Sequence, residues 1–166
     1  CLDTSGIMFP KKHTGTDQNS EREISLTGIS ENMASDRMEK IEQLMSVTDL
    51  VMLDIKHIND EEHQKLTGQS NSNILAFARY LDSIGKPVWI RHVVVPGITF
   101  DEKELTELGL FLKTLHNVEK LEVLPYHSMG KVKYDNLGMD YVLKDTPQLT
   151  KAEAKEAENM IRAAMK

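Results

Sequence analysis

The sequence is short of cysteine and of long apolar runs, and each shortage excludes a class of protein. It holds one cysteine, Cys1, among 166 residues, so an internal disulfide framework is excluded and a reducing, cytoplasmic compartment is expected. No stretch approaches the roughly 18 apolar residues that predict a membrane-spanning helix. The most apolar run, residues 93–95, directly follows Arg91 and His92. A disulfide-stapled secreted domain and a membrane protein are therefore not expected.

Positive charge is also scarce. The chain has 26 acidic against 20 lysine and arginine residues, a net charge of −6. A nucleic-acid-binding surface needs a clustered basic stripe, and the pair Lys131 and Lys133 is too small to make one. Nucleic-acid and membrane-surface partners are not expected. The length suits a single domain, residues 1–166, with a core of its own.

Short apolar runs of strand type alternate with longer stretches of helical period. The predicted strands are Cys1–Asp3, Leu50–Leu53, Pro87–Val95 and Val118–Leu124. Helices are predicted to begin with capping residues at Asp36, Ser72, Thr99 and Thr150, and a short helix is predicted from Asn59 to Leu66. Strands separated by helices run parallel, so the order predicts an α/β fold of parallel βα repeats. Both an open doubly wound sheet and part of a (β/α) barrel fit this order.

One segment does not follow this alternation. Residues 11–35 are mostly polar, and only Ile24, Leu26, Ile29 and Met33 offer apolar side chains. Connections longer than about 12–15 residues without secondary structure are uncommon inside compact domains. We expect a mobile insertion at about residues 8–35.

Charged and polar residues stand where the predicted strands end, which is the functional edge of a parallel α/β sheet. They are Asp3, Thr4, Asp54, Lys56, Arg91 and His127. Together they would suit a zwitterion, with Lys and Arg facing a carboxylate and Asp facing a cation. Taken singly, most have structural interpretations: a turn former, a strand end in solvent, a loop histidine. Arg91 is the exception, because a charge inside an apolar strand needs a partner.

The other histidines show no spacing typical of a metal site. They are His13, His57, His63, His92 and His116. We expect all five at the surface.

Four motifs together resemble the pyruvate formate-lyase activating enzymes, which belong to the radical S-adenosylmethionine (SAM) proteins. They are CLDTSG (1–6), TDLVMLDIK (48–56), VWIRHVVVPG (88–97) and VEKLEVLPYH (118–127), and GKVKY (130–134) looks like a later loop of the family. The resemblance covers residues 1–7 and about 37–166. Four separate strand-end motifs coincide, so the resemblance is specific.

The resemblance implies the C-terminal part of a six-stranded partial TIM-like barrel that binds SAM and a 4Fe-4S cluster. Reductive SAM cleavage would yield a 5′-deoxyadenosyl radical that takes a hydrogen atom from a glycine of pyruvate formate-lyase, the partner, in anaerobic glucose metabolism. Reduced flavodoxin or ferredoxin is the implied electron donor. Lys56, Arg91 and His127 match SAM-binding positions. Asp3, Thr4, Asp54 and the Met52 carbonyl match a monovalent-cation site.

Two departures from the family pattern matter. The cluster motif Cys-x-x-x-Cys-x-x-Cys is absent, as is the Gly-Gly-Glu turn for the SAM amino group. Cluster assembly needs thiolate ligands, so we expect the chain alone to lack the cluster and to be inactive. The second departure is the long connection after Gly6.

Two other interpretations remain open at this point. A lysine at the end of a barrel strand, as Lys56 is, suits a Schiff-base aldolase. The chain could also serve only as a docking module for the partner lyase.

Overall fold

The structure, a computed structural model, describes residues 1–10, 24–141 and 143–166, with the side chains of 24–34 and of residue 130 left out. The strands are β1 (Leu2–Thr4), β2 (Val51–Asp54), β3 (Val88–Val94) and β4 (Val118–Pro125). The helices are α1 (Ile24–Ser46), α2 (Asp60–Thr67), α3 (Ser72–Ser83), α4 (Glu102–Lys113), α5 (Lys131–Leu137) and α6 (Lys151–Ala164), with a 3-10 turn at Ser128–Gly130.

The four strands form one sheet in which every neighbouring pair is parallel. The predicted α/β fold of parallel βα repeats is confirmed. The spatial order β1-β2-β3-β4 follows the chain without a reversal. A doubly wound sheet reverses its order at a switch point, whereas a barrel adds strands in sequence. The order therefore fits a segment of a barrel.

One face of the sheet forms the core. Val51 and Leu53 of β2 and Val88 and Ile90 of β3 have no exposed surface. Helices α3 and α4 complete the same core with Phe77, Leu81, Leu105 and Leu108. The residues that alternate with the strand residues, such as Trp89 and Arg91, are only half-buried. Within the described ranges, no helix combines the length and the apolarity that crossing a membrane requires.

Two predicted helix starts are wrong. Helix α1 begins at Ile24 and runs through Asp36, which ion-pairs one turn later with Lys40 Nζ at 2.7 Å instead of capping. Helix α4 is capped by Asp101, whose Oδ1 accepts the Glu104 N–H at 3.1 Å. Thr99, the predicted cap, instead donates to the Val93 carbonyl at 2.9 Å.

The other starts came closer. Asn59 caps α2, and Thr150 forms the predicted capping box with Glu153. Helix α3 begins at Ser72, so the cap position is held by Asn71 and not by Ser72 as predicted. The predicted mobile insertion at about 8–35 falls partly on residues 11–23, which lie outside the described residues. Its mobility stays a prediction, although the backbone from Ile24 onward is helical.

Candidate functional site at the strand ends

The register of the sheet aligns the predicted site residues across neighbouring strands. Asp3 lies opposite Met52, and Asp54 lies opposite Arg91. Because side chains alternate between faces, these four positions share the half-buried face of the sheet. Lys56 follows two residues after Asp54 and so continues the same series.

Four of these side chains form one ion-pair network, here called the strand-end cluster: Asp3, Asp54, Lys56 and Arg91. Arg91 Nε donates to Asp54 Oδ1 at 2.8 Å, and Arg91 Nη2 donates to Asp3 Oδ1 at 2.5 Å. Lys56 Nζ donates to Asp54 Oδ2 at 2.8 Å. Asp54 therefore bridges the two cations with its two oxygens.

The cluster is more buried at its centre than at its ends. The side chains of Asp54 and Arg91 are 20% and 21% exposed, whereas those of Lys56 and Asp3 are 38% and 52% exposed. The hydrogen bond that Arg91 donates to Asp54 raises the pKa of Arg91 above its ordinary value. Two carboxylates balance two cations, which makes partial burial tolerable.

The cluster keeps binding capacity toward solvent. A guanidinium carries five N–H donors and an ammonium three, so Arg91 and Lys56 retain donors beyond the bonds described. Trp89 adds an aromatic surface on this face, with Lys120 Nζ 4.5 Å from the ring centroid. Arg91 and Lys56 can bind a carboxylate, and Trp89 can stack against a cation or a planar ring.

The structure separates Thr4 from this cluster. Its register partner is Leu53, which faces the core, so the Thr4 side chain lies on the opposite face from Asp3. Its Oγ1 accepts the Gly6 N–H at 3.0 Å. Among the described residues, no group of three or more His, Cys, Asp or Glu side chains could hold a metal ion. The monovalent-cation site stays a prediction.

His127 is not brought into the cluster either. It lies beyond the end of β4, is exposed, and makes no hydrogen bond or ion pair with the described residues. Its neighbour Tyr126 is buried and meets Tyr141, with the two hydroxyls 2.8 Å apart. Of the six residues predicted at the strand ends, the structure therefore brings four into contact, those of the strand-end cluster.

A cavity of about 250 Å³ lies elsewhere, beside the turn that follows β1. Leu2, Phe9, Met45 and Phe77 contribute to its apolar lining. It faces the helices rather than the strand-end cluster, so it does not belong to the predicted site.

The expectation of surface histidines is wrong for three of the five. His57, His63 and His92 are 4%, 2% and 0% exposed. Only His116 is exposed as expected, and His13 lies outside the described residues. Strand alternation could have indicated the burial of two of them, because His92 lies on the same face as Ile90 and His57 on the same face as Ile55.

The aldolase interpretation of Lys56 is not favoured. A Schiff-base lysine must present an uncharged amine to its substrate. Lys56 instead donates to the carboxylate of Asp54, an arrangement that suits a charged ammonium.

Curated relatives match most of this chain at about half of the aligned positions. The chain is 52% identical over 124 residues to the pyruvate formate-lyase-activating enzyme of Streptococcus mutans, a match that covers 75% of this chain and 47% of that protein. It is 50% identical over 116 residues to the enzyme of the same name from Staphylococcus epidermidis, covering 70% of this chain and 46% of that one. The chain thus spans about half the length of the curated relatives it matches.

A solved structure supports the fold. A domain of pyruvate-formate lyase-activating enzyme from Bacteroides vulgatus superposes with a TM-score of 0.61, covering 76% of this chain and 69% of that one at 20% identity. No protein-family model matches the chain. The family resemblance of the four motifs is confirmed by the relatives, and the fold by the solved domain.

Proposed function

We propose that this chain, a relative of the pyruvate formate-lyase-activating enzymes, forms the part of such an enzyme that holds SAM at its strand ends. The observation that carries the proposal is the strand-end cluster, in which Asp3, Asp54, Lys56 and Arg91 meet at the functional edge of a parallel sheet. In the whole protein, the product is a glycyl radical on pyruvate formate-lyase, in a reducing cytoplasm.

The residues present fit SAM. Lys56 and Arg91 retain N–H donors for its carboxylate, and Asp54 keeps both cations in place. A monovalent cation beside Asp3, Asp54 and the Met52 carbonyl would offset negative charge at this edge. SAM, when bound and reduced, supplies the group that abstracts hydrogen from the glycine of the partner. The role of His127 in SAM binding is part of the proposal, and it requires the loop after β4 to approach the cluster.

An iron–sulfur cluster does not fit this chain by itself. Such clusters are held by several thiolates, and the one cysteine here is the exposed Cys1. We assign the cluster ligands and the contact with reduced flavodoxin or ferredoxin to the part of the protein that the relatives have beyond the matched half. This chain contributes binding and orientation.

Methyl NMR tests SAM binding directly, because it detects weak complexes. Met52 lies in the row of Asp3 and Trp89, so its methyl signal should shift when SAM is added. We expect Lys56→Met to weaken binding roughly tenfold, since a hydrogen bond between charged groups contributes about 1.5 kcal/mol. Lys65→Met removes the same charge from the exposed face of α2 and should leave binding unchanged.

The cation part of the proposal has its own pair of variants. Asp54→Asn should abolish any dependence of SAM binding on potassium or sodium. Asp49→Asn alters an exposed residue before the same strand and should preserve that dependence. If the Met52 methyl signal of the wild-type chain does not shift at millimolar SAM, the proposal that SAM binds at this edge of the sheet is refuted.

A further inference from the structure

The backbone around Lys56 is held by one backbone hydrogen bond to β3 and by several side chains. β2 ends at Asp54, so Lys56 lies two residues beyond the strand. Ile55 N–H donates to the Arg91 carbonyl at 3.0 Å, and Nδ1 of the buried His92 lies 2.8 Å from the Ile55 carbonyl oxygen. The residue before Lys56 is therefore anchored to β3 on both of its backbone polar groups.

The residues after Lys56 are anchored by a carboxyl from another helix. Glu104 of α4 accepts the Ile58 N–H on Oε1 at 2.8 Å. Its other oxygen, Oε2, lies 3.1 Å from Nδ1 of His57. Both side chains are only 5% exposed. One buried carboxyl thus contacts the two residues that follow Lys56.

A third buried side chain closes the same loop. Asn71, 2% exposed, donates from Nδ2 to the His57 carbonyl at 3.1 Å and to the Ile58 carbonyl at 2.5 Å. Asn71 directly precedes α3 and Glu104 belongs to α4, so the two side chains bind the loop from different elements. Together they satisfy both carbonyls and one N–H of residues 57–58.

Glu104 is unusual in where it directs its side chain. A glutamate at the third position of a helix commonly turns back to the backbone N–H of its own cap. Glu104 holds that position after Asp101 but crosses to the loop of β2 instead. Burying a carboxyl costs free energy unless it is hydrogen-bonded, so an apolar residue would serve packing alone better. Compared with an apolar side chain, the Glu104 carboxyl adds the contacts with residues 57–58.

We infer that Glu104 and Asn71 are positioning residues for Lys56. They hold the backbone of residues 57–58, directly after Lys56, so that the Lys56 ammonium stays beside Asp54. For SAM the inference rests on the proposed function, but the position of Lys56 is a property of this chain. Glu104 itself touches no cluster residue; it acts through His57 and Ile58.

The test compares Glu104→Met, which removes both oxygens, with Glu104→Gln, which keeps an acceptor for Ile58 and a donor for His57. Ile161→Ala is the control for general loss of stability, because Ile161 is fully buried on α6 and does not belong to the loop. The readouts are hydrogen exchange of the Ile58 amide under native conditions, the lysine side-chain NMR signal of Lys56, and SAM titration followed on Met52.

We expect Glu104→Met to speed Ile58 exchange about tenfold or more beyond its effect on the most protected core amides, and to shift the Lys56 signal. SAM binding should weaken several-fold. Glu104→Gln should restore all three readouts to within about twofold of wild type, and Ile161→Ala should leave the Lys56 signal in place.

Two outcomes would overturn the inference: an unmoved Lys56 signal in Glu104→Met, or a Glu104→Gln chain as perturbed as Glu104→Met. The readouts separate this inference from the proposed function. If SAM fails to bind the wild type while Glu104→Met still frees Ile58 and Lys56, the positioning role stands and the SAM assignment fails.

Discussion

The buried carboxyl of Glu104 makes the stability of the chain depend on pH in a predictable direction. Burial is the main cause that raises the pKa of Glu104 to about 7; the charges of Glu107 and Asp101 act in the same direction, and the hydrogen bond from the Ile58 N–H opposes them. Its neighbour His57 has a pKa lowered by burial, and its Nδ1 accepts the Asn59 N–H at 3.1 Å. A ring nitrogen that accepts this bond is unprotonated, so the proton between His57 and Glu104 belongs to the carboxyl.

The magnitude follows from linkage between protonation and folding. The ordinary pKa is 4.5 and the folded value about 7, so the folded chain binds this proton more tightly than the unfolded chain does. The resulting stabilisation is full below pH 4.5 and is lost as the pH rises through 7. At about 1.36 kcal/mol per unit, the loss totals about 3 kcal/mol, most of which falls between pH 5 and 8.

Urea unfolding of wild type and Glu104→Gln across pH 5 to 8 measures this term, because the difference between the two curves cancels every other titrating group. We expect the wild type to lose about 2 to 3 kcal/mol relative to the glutamine variant over that range. Glu102→Gln, an exposed change in the same helical turn, should parallel the wild type. A flat difference for Glu104→Gln would show that the folded chain holds no proton between Glu104 and His57 in this pH range.

Two further predictions concern α6. A Cβ added at Gly109 would lie 2.6 Å from Ala164 Cβ and would overlap the Ile161 carbonyl oxygen, so Gly109→Ala should lower the free energy of unfolding by about 2 kcal/mol or more. A loss below about 0.5 kcal/mol in urea unfolding would contradict this packing. Thr150→Ala removes the capping box and should cost about 1 kcal/mol by the same measurement, whereas Lys151→Ala, at an exposed first-turn position, should cost little. Equal losses in the two variants would argue against the cap.

Local patterns predicted most of the architecture because the signals are short-range. Four apolar runs separated by helices require parallel strands, and alternation within a strand sets which residues share a face. Asp54 and Arg91 could therefore be assigned to one site from sequence. Helix starts were less reliable: Thr99 has the spacing of a capping box, yet its hydroxyl is bound to β3 and Asp101 caps α4.

The residues predicted from sequence to share a site are in contact where they lie in a strand or continue its alternation. Asp3, Asp54 and Arg91 lie in neighbouring strands and Lys56 follows β2 by two residues, so the four meet at one edge of the sheet. His127 lies two residues beyond β4 and follows the alternation of Leu121, whereas the residue opposite Arg91 is Glu122; it stands exposed away from the cluster.

The order of the strands and the charged residues at their ends can be read from the amino-acid sequence, since both depend on periods of a few residues. The surroundings of Lys56 depend instead on the tertiary fold. Glu104 lies 46 positions from Ile58 in the chain, and the bond between them exists because α4 packs its first turn against the loop after β2. No local pattern encodes that contact; it depends on how two elements are placed by the core between them.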